Sequence, residues 1–245
     1  GVSKTYMAPE VRLALRYKFT PDASIKVSFN TMTQYIHMLS NTTAISPTDI
    51  WKLSDTYIRP QKGYQGSLGF YKNFRPNIET SLEIYYKRIQ DYMDYKSGAS
   101  LVLNHHIETE VFNTRGKAYG VELLIKKTTG RLNGWLSYAY SRTYLQQDDS
   151  LAGELINKGN YYPASFDKPH SVNFIGNYQI SHRYSISMNV VYNTGRPITL
   201  PLAIFNTGGS TSLYYSDRNA YRIPDYFRTD FSINIDGNHK VNQKI

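Results

Sequence analysis

Apolar and polar residues alternate with a period of two along most of the chain. The stretch "VRLALRYKF" sets Val11, Leu13, Leu15, Tyr17 and Phe19 against Arg12, Arg16 and Lys18. After "TPDAS" the alternation resumes, with Ile25, Val27 and Phe29 against Lys26, Ser28 and Asn30. Successive side chains of a strand point to opposite faces, so this period predicts strands with two unlike faces. Nine such segments are predicted: 9–19, 25–35, 63–72, 78–90, 116–127, 132–144, 171–180, 183–193 and 228–236. In the last, Arg228, Asp230, Ser232, Asn234 and Asp236 share one face, and Thr229, Phe231, Ile233 and Ile235 the other.

The connections alternate as well. Strands one and two join through "TPDAS", three and four through "NFRPN", five and six through "TTGR", seven and eight through "SH". The others are long: 36–62, 91–115, 145–170 and 194–227. In an up-and-down antiparallel sheet this puts every tight turn at one end and every long loop at the other. Transmembrane barrels have that asymmetry, and strands of this length exceed the usual ~5–6 residues and match the ~9–11 needed to cross a bilayer at a tilt. The expected fold is therefore all-β, an antiparallel meander of about nine long strands forming part of a membrane barrel. The alternative is a soluble all-β carbohydrate-binding module that buries the same apolar faces between two sheets.

Composition narrows the classes. The 245 residues include 23 Tyr, 10 Phe, 2 Trp and no Cys. Without cysteine there are no disulfides, thiolate nucleophiles or Cys-based metal sites. A mean hydropathy of −0.49, with no long apolar run, excludes a transmembrane helix but not a barrel, in which only alternate residues meet lipid. The net charge is +9, but the basic residues are spread along strands and no nucleic-acid-binding signature is present, so no nucleic-acid partner is expected.

Several stretches resemble the C-terminal part of the barrel of TonB-dependent outer-membrane receptors. They are "TQYIHMLSNTTAISPTDIWKLSD" (33–55), "EIYYKRIQDYMDYKSGA" (83–99), "AYGVELLIKKTTGRLNGWLSYAYSRT" (118–143), "YYPASFDKPHSVNFIGNYQIS" (161–181), "YNTGRPITLP" (192–201) and "RIPDYFRTDFSI" (222–233). Phe227 departs from the resemblance, standing where the family often has His. The resemblance implies a 22-stranded barrel closed by a plug and uptake of a scarce ligand driven through TonB: a siderophore, cobalamin, haem, oligosaccharide or peptide. It implies that residues 1–245 are one piece of that barrel domain, with the plug, the first half of the barrel and the last strand absent. Such a piece is not transport-competent alone, and its open edges must be hidden by curling into a smaller barrel, by pairing edge to edge with another copy or by detergent. The implied setting is the outer membrane of a Gram-negative cell, with lipid around the barrel, long loops outside and the TonB complex reached through the plug. Val11, Leu13, Leu15, Tyr17 and Phe19 are then expected to face lipid, and Arg12, Arg16 and Lys18 the lumen.

Candidate sites follow. No enzyme constellation is present, and no cofactor or metal is expected. The His105–His106 pair with Glu108 and Glu110, and the Asp148–Asp149 pair with Glu154, read as solvated loop residues rather than metal or acid–base sites. His37, His170, His182 and His239 read as structural or exposed. The loop aromatics Trp51, Tyr57, Tyr161, Tyr162, Tyr214 and Tyr215 are candidate ligand contacts, with an aromatic membrane girdle as the alternative. Tyr138, Tyr140, Tyr184 and Tyr192 are assigned to the girdle. Glu122, Lys126, Arg228 and Asp230 are expected to be structural lumen charges.

Overall fold

The computed structural model describes residues 4–39, 50–56, 58–75, 77–96, 110–147, 155–207 and 210–236. In chain order its strands are β1 (Arg12–Thr20), β2 (Ala23–Gln34), β3 (Ile36–Leu39), β4 (Ile50–Leu53), β5 (Gln61–Arg75), β6 (Ile78–Tyr95), β7 (Val111–Lys127), β8 (Leu132–Gln147), β9 (Tyr162–Pro163), β10 (His170–Gln179), β11 (Tyr184–Asn193), β12 (Pro197–Ile198), β13 (Pro201–Thr207), β14 (Ser210–Tyr215), β15 (Tyr221–Arg222) and β16 (Tyr226–Ile235). Nine of them form one antiparallel meander in the order β1-β2-β5-β6-β7-β8-β10-β11-β16, with β9 added beside β8. All nine sequence-predicted strands are present. The remaining pairs, β3–β4, β12–β15 and β13–β14, are small ribbons inside the long connections.

Register explains the alternation. A single row of directly opposed residues crosses the whole sheet: Tyr17, Ile25, Phe70, Leu82, Leu123, Tyr138, Val172, Tyr192 and Phe227. Each strand contributes one apolar or aromatic residue. The row one residue away, on the opposite face, reads Arg16, Lys26, Gly69, Glu83, Glu122, Ala139, Ser171, Asn193 and Tyr226. A one-residue slip at any pairing would exchange the two rows, so the two-faced pattern fixes the register. The apolar face carries no second sheet among the described residues. Leu15 is 74 % exposed, Ile84 46 % and Phe231 68 %. A sandwich would bury these residues, so the soluble alternative loses its core.

The four tight connections are Pro21–Asp22, positions 76–77, Thr128–Arg131 and Ile180–Arg183. Adjacent turns are tied together: the Asn73 amide donates to the Asp22 carbonyl at 2.8 Å, Thr128 to Asn77 at 3.1 Å and Gln179 to Arg131 at 2.7 Å. The opposite end carries the ribbons and the long loops. There β6 takes a bulge, with pairing broken between Ile89 and Tyr92 and Asp91 at φ 54°. A bulge adds one residue to one strand and sharpens its twist. It lets β6 and β7 continue upward as a platform for the loops.

An outward cation at the middle of the apolar belt is costly in lipid, and an inward one is not. Val121→Arg is expected to destabilise the protein by about 2–4 kcal/mol in phospholipid vesicles. Ser67→Arg, on the polar face, is expected to cost far less. Urea titrations of the two variants folded into the same vesicles check this.

Candidate functional site

The loop end is held by three polar anchors around a small core. The core gathers Phe112 of β7, Leu145 of β8, Ile156, Tyr162 of β9 and Ala164, with Tyr92 packed against it. Phe112 and Leu145 lie at register positions of the polar face, so this core seals the upper lumen side of the sheet.

The first anchor is Asp94, on the upper part of β6. Its carboxylate accepts from the Tyr162 hydroxyl at 2.6 Å and from Arg218 Nη1 at 3.0 Å. Arg218 also donates to the Tyr95 carbonyl at 2.6 Å. Its guanidinium lies over the rings of Phe112 and Tyr162, about 6 Å from each centroid, within cation–π range. Burial and the Asp94 charge push the Tyr162 hydroxyl well above its ordinary value, so it remains a donor at any physiological pH. The Asn157 side chain clasps the backbone of Arg218, accepting from its amide at 2.7 Å and donating to its carbonyl at 3.1 Å. Asn157 and Lys158 reach that position in a left-handed turn, with φ of 50° and 56°.

The second anchor is Asp167, whose side chain is fully buried. It accepts from the Thr143 amide at 2.7 Å and is ion-paired with both Arg222 and Arg142, the latter at 3.3 Å. Arg222 Nη1 also donates to the carbonyls of Asp167 and Gly195, each at 2.8 Å. One carboxylate thus joins β8, the segment before β10 and the long loop after β11.

The third anchor is Asp225. It accepts from the Tyr192 hydroxyl at 2.5 Å and the Gly195 amide at 2.8 Å. These two donors, the Tyr192 hydroxyl first, hold the Asp225 carboxyl below its ordinary value. At Gly195 a Cβ would stand 1.7 Å from the Ile223 carbonyl oxygen, so only glycine admits this approach of the two chain segments.

Between the turn at 155–158 and the β13–β14 ribbon opens a cleft of about 830 Å³. Tyr214, Tyr215, Lys96, Lys158 and Arg218 line it, with Asp217. Its charged lining is basic on balance, and its two tyrosine rings are exposed. Such a lining suits an anionic solute with flat or apolar faces.

The sequence-predicted residues fall in different places. Tyr214 and Tyr215 reach the cleft. Tyr162 is 1 % exposed and sits in the small core. Tyr161, exposed, lies under Lys117 Nζ at 4.0 Å from the ring centroid, on the apolar side of the sheet. Trp51 is exposed on the separate β3–β4 ribbon. Tyr57, His105, His106, Glu108, Asp148, Asp149, Glu154 and His239 lie outside the described residues. His37 is buried, with Nε2 3.1 Å from the Ser54 hydroxyl, and burial lowers its pKa. Glu122, Lys126, Arg228 and Asp230 all stand on the polar face. Lys126 pairs across strands with Glu79 at 3.9 Å, Glu122 stands opposite Glu83, and Arg228 Nε bonds both carboxylate oxygens of Asp230 at 2.9 and 3.0 Å.

The family described as TonB dependent receptor-like, beta-barrel matches residues 6–243. The chain belongs to this family. Two solved structures share its fold. One is the ferric-catecholate import receptor Fiu from K12 E. coli in its closed form: 10 % identity, TM-score 0.60, 93 % of this chain and 28 % of that one. The other is the ferripyoverdine receptor of the outer membrane of Pseudomonas aeruginosa bound to ferripyoverdine: 9 % identity, TM-score 0.55, 91 % of this chain and 26 % of that one. The chain thus spans between a quarter and a third of the length of either receptor. No curated protein matches it. Within this receptor-family barrel, the three anchors bind the loops that hold the cleft. Asp167, Gly195, Arg222 and Asp225 lie in stretches that carry the family resemblance, but no local signal in the sequence marks them as anchors.

Asp167→Ala is expected to release the loop end locally. The arginines left without this partner, Arg142 and Arg222, keep 22 % and 27 % of their side-chain surface exposed, so the cost is expected at or below the lower end of the about 3–5 kcal/mol for breaking a buried pair. Hydrogen exchange should accelerate at Thr143 and across 164–171 while the middle of the sheet stays protected. For Asp225 the sign is set by its lowered pKa. Its contribution is present above the ordinary carboxylate value and is lost as pH falls through the lowered one. Tyr192→Phe removes the main donor and should move the acid opening of this loop to higher pH, followed by exchange at the Gly195 amide.

Proposed function

We propose that this chain forms part of the wall of an outer-membrane, TonB-dependent transporter that imports a scarce solute. On this reading lipid surrounds the apolar face, the long-loop end faces outward from the cell, and further strands pair with the free edges of β1 and β16. Energy arrives through a plug domain and the TonB complex. The activity is transport and requires no chemical step.

The observation that carries the reading is the pairing of a continuous lipid-type belt with a basic, tyrosine-lined cleft at the anchored end. Among siderophores, cobalamin, oligosaccharides and peptides, this lining favours an anionic chelate. Lys96 and Lys158 supply positive field, Arg218 being paired with Asp94, and Tyr214 and Tyr215 supply faces on which planar groups stack. The two solved receptors named above take ferric ligands by their own descriptions, which is consistent with that choice.

The test uses the full-length protein carrying this chain and a ferric catecholate as probe, with intrinsic fluorescence quenching as readout. Tyr214→Ala with Tyr215→Ala should weaken binding by about tenfold, the equivalent of ~1.4 kcal/mol. Tyr161→Ala, on the other side of the sheet, should leave it unchanged. Tight binding of a neutral oligosaccharide, with no ferric catecholate bound, would contradict the anionic-chelate reading.

A further inference from the structure

The two faces of the sheet differ in the sign of their charge as well as in polarity. On the polar face both signs occur: Arg16, Lys26 and Lys126 stand with Glu79, Glu83 and Glu122. On the apolar face no paired position of the nine strands holds Asp or Glu. The charged residues there are all cations, and they lie at the ends of the strands. At the loop end they are Lys62, Arg88, Arg115, Lys117 and Arg142. At the turn end they include Lys72 and Lys127.

Arg88 of β6 and Lys117 of β7 stand directly opposite each other. Opposed like charges in a sheet repel at close range and destabilise the pairing. Tyr64 flanks Arg88 on β5, and Tyr144 flanks Lys117 on β8, so the row reads aromatic, cation, cation, aromatic. Lys117 rests on the rings of Tyr161 and Tyr144, at 4.0 and 5.9 Å. No carboxylate compensates this pair among the described residues. The nearest acid along β6, Asp91, sits in the bulge and is ion-paired with Arg59 at 3.6 Å. Arg142, on the neighbouring row, is committed to Asp167. The row lies immediately above outward Tyr86 and Tyr119, where an apolar belt gives way to water. Aromatic rings mark the headgroup level of a membrane, and cations beside them meet anionic lipid.

We infer that Arg88 and Lys117 form a docking site for the phosphate of an anionic lipid headgroup in the loop-side leaflet, with the acyl chains lying along the apolar face below. The bridging phosphate supplies the negative charge that the sheet lacks at this position and relieves the repulsion between the two cations. The site rests on the membrane-barrel reading but is separate from the cleft, on the opposite face.

The test folds the full-length protein into phosphatidylcholine vesicles with and without phosphatidylglycerol and compares wild type with R88Q/K117Q. In pure phosphatidylcholine the variant should be at least as stable as wild type, because a repulsion is gone. With phosphatidylglycerol the order should reverse, wild type gaining more than the variant. In native mass spectra the variant should retain phosphatidylglycerol about 30-fold more weakly. Lys87→Gln, an inward neighbour, should leave the lipid gain intact. Equal gains in wild type and variant would overturn the site. A gain reproduced in full by inorganic phosphate would overturn the lipid assignment, pointing to a site for the free anion. Failure to fold into either vesicle would sink the barrel reading and the site together.

Discussion

Everything in this structure depends on one constraint: in a medium without water, each backbone amide and carbonyl must find a partner within the sheet. Long antiparallel strands meet that constraint, and they leave side chains as the only groups that face the surroundings. The nine-residue row from Tyr17 to Phe227 is the result, an apolar line crossing nine strands with no polar interruption. The paired acids all stand on the opposite face, and the apolar face keeps its cations to the ends of the strands. Register, facing and the position of the loops all follow once that line is set.

The anchored end obeys a different rule. Above the belt, water is available, and strands β6, β7 and β8 no longer need an apolar side. They place Asp94, Phe112 and Leu145 where incoming loops can be fastened, and Gln147, whose side-chain oxygen accepts from the Ile156 amide at 2.8 Å. Two arginines from the last long loop, Arg218 and Arg222, do most of the fastening, reaching carboxylates 124 and 55 positions away in the chain. The loops are thus held by charge-assisted contacts on a rigid wall, an arrangement that keeps a cleft open, with Arg218 serving both as fastener and as lining.

The strand meander was legible in the sequence because its signal is local: each segment shows its own alternation, and each turn its own chemistry. The ends of the strands were not. β6 runs on to Tyr95, β7 begins at Val111 and β8 reaches Gln147, through "DYMDY", "VFNTR" and "YLQQ". There the alternation fades because lipid no longer imposes it. The β3–β4 ribbon was missed since four residues per strand are too few to show a period. The anchors were hidden for another reason. Asp94, Asp167 and Asp225 look like ordinary loop or strand acids until the topology brings Arg218, Arg222 and Tyr192 to them. The aromatics divided by facing: Tyr161 and Tyr162 are neighbours, so strand geometry had to send one to the apolar side and the other to the core.

The central claim is that the apolar rows lie against lipid. It is tested most directly by placing a nitroxide label in turn at positions 81 to 86 of the full-length protein folded in phospholipid vesicles. Collision rates with oxygen and with a water-soluble nickel complex are then read at each site. The account predicts a period of two, with Leu82, Ile84 and Tyr86 oxygen-accessible and Ser81, Glu83 and Tyr85 open to the nickel complex. Uniform aqueous access at all six positions, or the opposite phase, would contradict it.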